Sequence, residues 1–188
     1  NHDILLIKTD ANGNLQWAKT YGGGGDDRAL SVQRTSDGGY IVVGSVTSFG
    51  AGWFDFFLMK TDAYGNVQWA KTYGHPHWDY ALSFQETSDG GYIMVGTIDS
   101  PPYGDDDVLV IKTDANGDLQ WFRRYSGVGF DAPLSVQQTS DGGYIIAGLT
   151  NSFGAGSWDI LLIKTDAYGD LQWAKTYGGT NIDWANSV

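Results

Sequence analysis

The run DILLIKTD, residues 3–10, returns as DFFLMKTD from Asp55, DVLVIKTD from Asp107 and DILLIKTD from Asp159, each time after 52 residues. The Gln-Trp pair that follows keeps the same step, at Trp17, Trp69, Trp121 and Trp173, and so do the turn aspartates Asp37, Asp89 and Asp141. No insertion or deletion interrupts the register. Self-similarity at a fixed period of this length marks a repeat architecture, in which one supersecondary unit is covered by copies of itself.

Four strand-like runs, labelled A to D, follow one another in each period. In the first complete period A is residues 29–34, B is 40–45, C is 55–60 and D is 67–72, with the turns SDGG at 36–39 and DAYG at 62–65. Asp-Gly, Asn-Gly and Tyr-Gly supply residues that tolerate positive φ where strands reverse, which predicts a four-stranded antiparallel meander. Strands B and C are apolar on both faces (Ile41 and Val43 against Tyr40 and Val42), so each sheet must be covered on both sides. Four-stranded sheets stacked face to face around an axis meet that need for every copy. The expected fold is therefore all-β, a β-propeller with four-stranded antiparallel blades; a β-solenoid fits less well, because its rungs are shorter and lack paired tight hairpins.

The 188 residues hold about 3.6 repeats of the 52-residue unit. Read as a single propeller, they comprise strands C and D of a first blade in residues 1–21, blades at 28–73, 80–125 and 132–177, and the start of a further blade at 183–188. The chain opens on Asn1-His2-Asp3 without a Met, and its last copy stops at the equivalent of Val32. Both features predict a piece of a larger ring, or a blade completed by another chain.

The run DGGYIVVGSVTSFGAGWFDFFLMKTDAYGNVQW, residues 37–69, resembles the short repeats of secreted bacterial and archaeal β-propellers: a DG turn, an IVVAG-like strand, a Gly-rich loop and a strand ending in a D-x-x-G turn. The resemblance covers essentially the whole chain. DANGNLQW, residues 10–17, is also distantly similar to the D-A-x-T-G-K-x-x-W docking motif of quinoprotein-type propellers, with an Asp-to-Trp spacing one residue shorter. The resemblance implies an extracellular or cell-surface propeller serving in binding or adhesion, and it carries no catalytic residue across.

Composition narrows the partners. With 22 acidic and 11 basic residues the net charge is -11, the wrong sign for phosphate backbones, so no nucleic acid is expected. No window is long and apolar enough for a membrane-spanning helix, so no membrane insertion is expected either. The absence of cysteine excludes disulfides and thiolate metal sites.

Strand alternation puts the D-to-A and B-to-C connections on one face, and these are the loops that differ between copies, where binding on a rigid scaffold is usually located. Asp27, Asp79, Asp131 and Asp183 recur there just before strand A, as Asp3, Asp55, Asp107 and Asp159 recur before strand C. They either form carboxylate sites for cations or sugar hydroxyls, or accept hydrogen bonds from their own loops. His75-Pro76-His77-Trp78-Asp79 offers donors of the type that zinc, nickel or copper takes, in one copy only. Residues 114–118, DANGD, have oxygen donors at alternate positions as in a calcium loop, yet the Gly is misplaced and a hairpin turn accounts for them better. No cofactor is expected, with calcium or a transition metal as the alternative.

One Trp per blade inside strand D reads as a wedge between blades. Trp53, Trp78, Trp158 and Trp184 lie in or beside the variable loops instead, as does Tyr103, where an aromatic either stacks on a sugar or a partner or packs over the blade edge. The expected ligand-binding residues are thus Asp27, Trp53, His75, His77, Trp78, Asp79, Tyr103, Asp131, Trp158, Asp183 and Trp184. No nucleophile elbow, P-loop or metalloprotease motif is present, so a non-catalytic binding or adhesion propeller is expected, with a glycan or cell-surface protein as partner. The rivals are a surface-layer assembly module, self-associating through an incomplete blade, and a polysaccharide-active enzyme built on the Asp rings.

Overall fold

The computed structural model describes residues 1–100, 105–185 and 187–188, and among them there are fourteen strands and no helix. Strands β1 (Ile4–Thr9) and β2 (Leu15–Tyr21) pair as a two-stranded sheet. Three four-stranded sheets follow: β3 (Asp27–Arg34), β4 (Tyr40–Val46), β5 (Asp55–Thr61) and β6 (Val67–Tyr73); then β7 (Asp79–Glu86), β8 (Tyr92–Ser100), β9 (Asp105–Thr113) and β10 (Leu119–Tyr125); then β11 (Asp131–Gln138), β12 (Tyr144–Thr150), β13 (Asp159–Thr165) and β14 (Leu171–Tyr177). In each sheet consecutive strands are neighbours and run antiparallel, so the repeating unit is the meander that the turns predict. The protein is all-β and of the bladed, β-propeller type.

Two irregularities recur that the hydrophobic pattern does not show. Thr61 faces Val67 while Lys60 faces Trp69, which leaves Gln68 as an extra residue in strand D. The same bulge recurs between β1 and β2, β9 and β10, and β13 and β14. A second one separates Ala29 from Ser31 opposite β4, and Pro133 from Ser135 opposite β12. Bulges of this kind raise local twist and re-aim side chains.

The chain divides into two compact units, Asn1–Ala81 and Leu82–Val188. In the first, Ile4 and Leu6 of β1 pack on Val42, Val46, Phe57 and Met59 of β4 and β5, with Trp17 and Tyr21 against them. In the second, Ile93, Val95, Val108 and Val110 of β8 and β9 meet Val136, Tyr144, Ile146, Leu161 and Ile163 of β11 to β13, with Trp121 and Tyr125 alongside. Each such side chain contributes roughly 1.5–3 kcal/mol on burial, so face-to-face stacking of sheets is the main source of stability in either unit. The strand-D tryptophans act as wedges in both: Trp17 meets Tyr40 edge-on at 5.8 Å, and Trp121 meets Tyr144 at 5.8 Å.

Polar latches join neighbouring blades. Trp17 Nε1 donates to the Ala63 carbonyl at 3.3 Å and Tyr21 Oη to that of Gly65 at 2.6 Å. In the second unit Tyr125 Oη donates to the Gly169 carbonyl at 2.5 Å, and burial raises that phenol to a pKa of about 12.

Candidate functional site

The variable loops converge in pairs. Within the first unit the B-to-C loop, residues 47–54, lies against the D-to-A loop, residues 74–78: Trp53 N donates to His77 O at 3.3 Å and Asp79 N to Phe54 O at 2.8 Å, closing an isolated parallel bridge between Phe54 and Trp78. Four rings gather there. Trp53 and Trp78 lie 5.7 Å apart and within 4° of parallel, while Phe54 packs 5.6 Å from Trp78 and 4.9 Å from Tyr80. Phe54 is buried beneath the cluster and the Arg28 guanidinium covers it at 5.1 Å. Trp53 is 65% exposed and Trp78 41%, so the upper rings present open aromatic surface held on a buried base.

A related patch forms in the second unit. Phe130 stands edge-on to Trp158 at 5.7 Å, Asp183 N donates to Trp158 O at 2.9 Å, and Trp158 bridges to Ile182. Trp184 is exposed beside it. Counting by 52 residues, Trp78, Phe130 and Ile182 occupy one position of the repeat and Phe54 and Trp158 another, so this is the same corner of the blade with different side chains.

Of the expected ligand residues, Trp53, His75, His77, Trp78 and Asp79 meet in the first unit's loop pair, and both histidines are exposed. Asp131, Trp158, Asp183 and Trp184 belong to the second unit, and Tyr103 lies outside the described residues. Phe54, Tyr80, Arg28 and Phe130 complete the clusters; their signal in the sequence is an aromatic or cationic residue standing one position before or after the recurrent Asp.

The aspartates are interior groups rather than contact surface. Asp27, Asp79 and Asp131 are at most 2% exposed, and Asp183 is half-buried. Asp27 accepts the Gly23 N–H at 2.9 Å and the Ser48 hydroxyl at 2.6 Å; Asp79 accepts the His75 N–H at 2.6 Å; Asp131 accepts the Ser152 hydroxyl at 2.9 Å. Burial raises Asp79 to a pKa of about 6, with the Asp55 charge adding to the shift and the His75 N–H and the two imidazoles opposing it. Asp131 is raised too, by burial above all, against hydrogen bonds from Thr150 and Ser152.

The other carboxylates serve their turns. Asp114 Oδ1 accepts the N–H groups of Asn116 and Asp118 at 2.8 Å, the hairpin arrangement expected over a calcium loop. Among the described residues no three His, Cys, Asp or Glu side chains converge as a metal cluster, and no helix is long and apolar enough to cross a membrane.

Fold and site together define a repeat-bladed β protein with aromatic loop clusters at one end of its strands. No family model matches the chain. Over 170 residues it is 28% identical to the regulatory protein FlaEY of Caulobacter vibrioides, a stretch covering 84% of this chain and 16% of that protein. The chain thus spans about a sixth of the length of the curated relative it matches.

Proposed function

We propose that the chain is a non-catalytic binding module of an extracellular or cell-surface protein, and that it holds neutral glycans on the aromatic loop clusters. The observation that carries the reading is the Trp53–Trp78 pair, two near-parallel indoles with exposed faces fixed on buried Phe54. An indole combines an apolar face with a polar edge, which suits the C–H face and hydroxyl rim of a pyranose. Because the rings are already ordered by packing, little side-chain entropy is lost on binding. The net charge of -11 favours uncharged sugars over uronates or sulfated chains. Recurrence of the corner from blade to blade would convert weak single sites into avidity for a repetitive polymer. The likeness to a short stretch of a much longer regulatory protein is in keeping with a module that works inside a larger chain.

The test is titration of the chain with a panel of neutral oligosaccharides, followed by tryptophan fluorescence and calorimetry. Trp53→Ala should weaken binding by roughly tenfold, about 1.4 kcal/mol, with the circular dichroism unchanged. No saturable signal at millimolar sugar, or equal affinity in Trp53→Ala, would sink the reading.

A further inference from the structure

Each junction between blades brings two aspartates together: the one opening strand C and the one opening the next strand A, 24 residues on. The pairs are Asp3 with Asp27, Asp55 with Asp79, Asp107 with Asp131, and Asp159 with Asp183. A glycine stands between three of them. A Cβ on Gly74 would overlap Asp55 Oδ1 and lie 2.6 Å from Asp79 Oδ2, and Gly22 and Gly178 stand in the same relation to their own pairs. The two carboxylates of such a pair therefore crowd the same side of one glycine and lie close to each other.

At Asp55 and Asp79 both side chains are fully buried, and Oδ1 of each has no hydrogen-bond partner. Their remaining oxygens are occupied, Asp55 Oδ2 by the Gly52 N–H at 3.1 Å and Asp79 Oδ2 by the His75 N–H at 2.6 Å. Two buried like charges with orphaned oxygens are costly unless a positive species joins them. The third junction is the internal control. There Arg124 stands where the other copies have Thr20, Thr72 and Thr176, and Ser126 replaces the glycine. The Arg124 guanidinium reaches in, its Nε donating to Asp107 Oδ2 at 2.7 Å and a second nitrogen pairing with the same oxygen. In that copy the chain itself supplies a cation to Asp107, while Asp131 Oδ1 keeps no hydrogen-bond partner.

We infer that the Asp55–Asp79 junction binds a hard divalent cation, calcium by its chemistry, in the place that Arg124 fills one blade later. The donors offered are oxygens, and two carboxylates with backbone carbonyls and water complete the shell that calcium takes. The ion would tie the start of β5 to the start of β7, and with them the two loops that carry Trp53 and Trp78. Such a shell needs no third acidic side chain.

The chain is stripped with chelator and titrated with calcium chloride at neutral pH, with bound calcium counted by equilibrium dialysis and unfolding followed by thermal melting. Calcium at about a hundredfold over its dissociation constant should raise the melting midpoint by roughly 5–10 °C. The double variant Asp55→Asn/Asp79→Asn should bind one calcium fewer per chain. Thr72→Arg, which copies the third junction, should also bind one fewer, yet melt in chelator at or above the wild-type midpoint. Unchanged stoichiometry in both variants would overturn the assignment. So would a wild-type chain that takes up no calcium in dialysis and melts at the same midpoint in calcium and in chelator.

Discussion

The ammonium of Lys112, its side chain 3% exposed, lies 2.8 Å from the Asp89 carboxylate, 23 residues earlier in the chain. It also donates to the Thr113 carbonyl at 2.8 Å and to Gln120 Oε1 at 3.2 Å. A buried ammonium is tolerated because three acceptors surround it, one of them charged. Asp89→Asn removes the neutralising charge and should cost about 2 kcal/mol in urea denaturation, less than a fully buried pair because Asp89 itself stays half exposed. Lys112→Met should cost less, since Asp89 can then turn to water. The reverse order would refute the account.

Lys60 with Asp37 and Lys164 with Asp141 repeat this contact. Burial works to raise Asp89, but Lys112, the Thr87 hydroxyl and the Gly91 N–H hold it at about 2, against 3.8 for the free side chain. Asp37 and Asp141 are lowered as well, by the Lys60 and Thr139 hydrogen bonds respectively before all else. A depressed folded-state pKa gives stability that is present above the unfolded value and lost as pH falls through the folded one. Stability should therefore decline from about pH 4 towards pH 2, and Asp89→Asn should flatten part of that limb when urea midpoints are measured across it.

Asp79 runs the other way. Its folded pKa, about 6, exceeds its unfolded value of 3.8, so the folded chain binds the extra proton between them. In chelator, stability should rise by roughly 2–3 kcal/mol as pH falls from above 6 to 4. Asp79→Asn should remove that rise and be the more stable form at neutral pH. A flat profile in the wild-type chain would contradict the assigned environment.

Gly13 and Gly169 both hold positive φ, +83° and +76°, at equivalent hairpin turns. A Cβ on Gly13 would meet nothing within 4 Å, whereas one on Gly169 would come within 2.7 Å of the Trp121 ring. Gly13→Ala should cost about 1–2 kcal/mol, the left-handed strain alone. Gly169→Ala should cost more and should redden the emission of Trp121 as its packing loosens. Equal losses would mean that the ring moves aside freely.

Much of the fold is legible in residues 3–10 and their echoes, because a period of 52 with four apolar runs and two turns admits few architectures. The bulge at Gln68 is not, since it changes which residue opposes which without changing their hydrophobicity. At the site, the exposed tryptophans could be picked out by their place in variable loops, while the joining of residues 53 and 78 depends on backbone bonds between two loops. The recurring aspartates read as two separate series, and only the fold makes them pairs. A trace of the pairing is nevertheless written in the third copy, where Thr becomes Arg124 in the same period that Gly becomes Ser126.

The latches from Trp17 to Ala63 and from Tyr21 to Gly65 are repeated in kind by Tyr125 and Gly169, each reaching 44 or 46 residues ahead into the following blade. Within each unit one blade thus carries a plug for its successor, which offers the socket at its C-to-D turn. Duplicating or deleting one 52-residue segment by unequal crossing-over leaves every plug facing a socket, whereas an indel of any other length strands one. Length in such a gene is free to change, but only in whole blades.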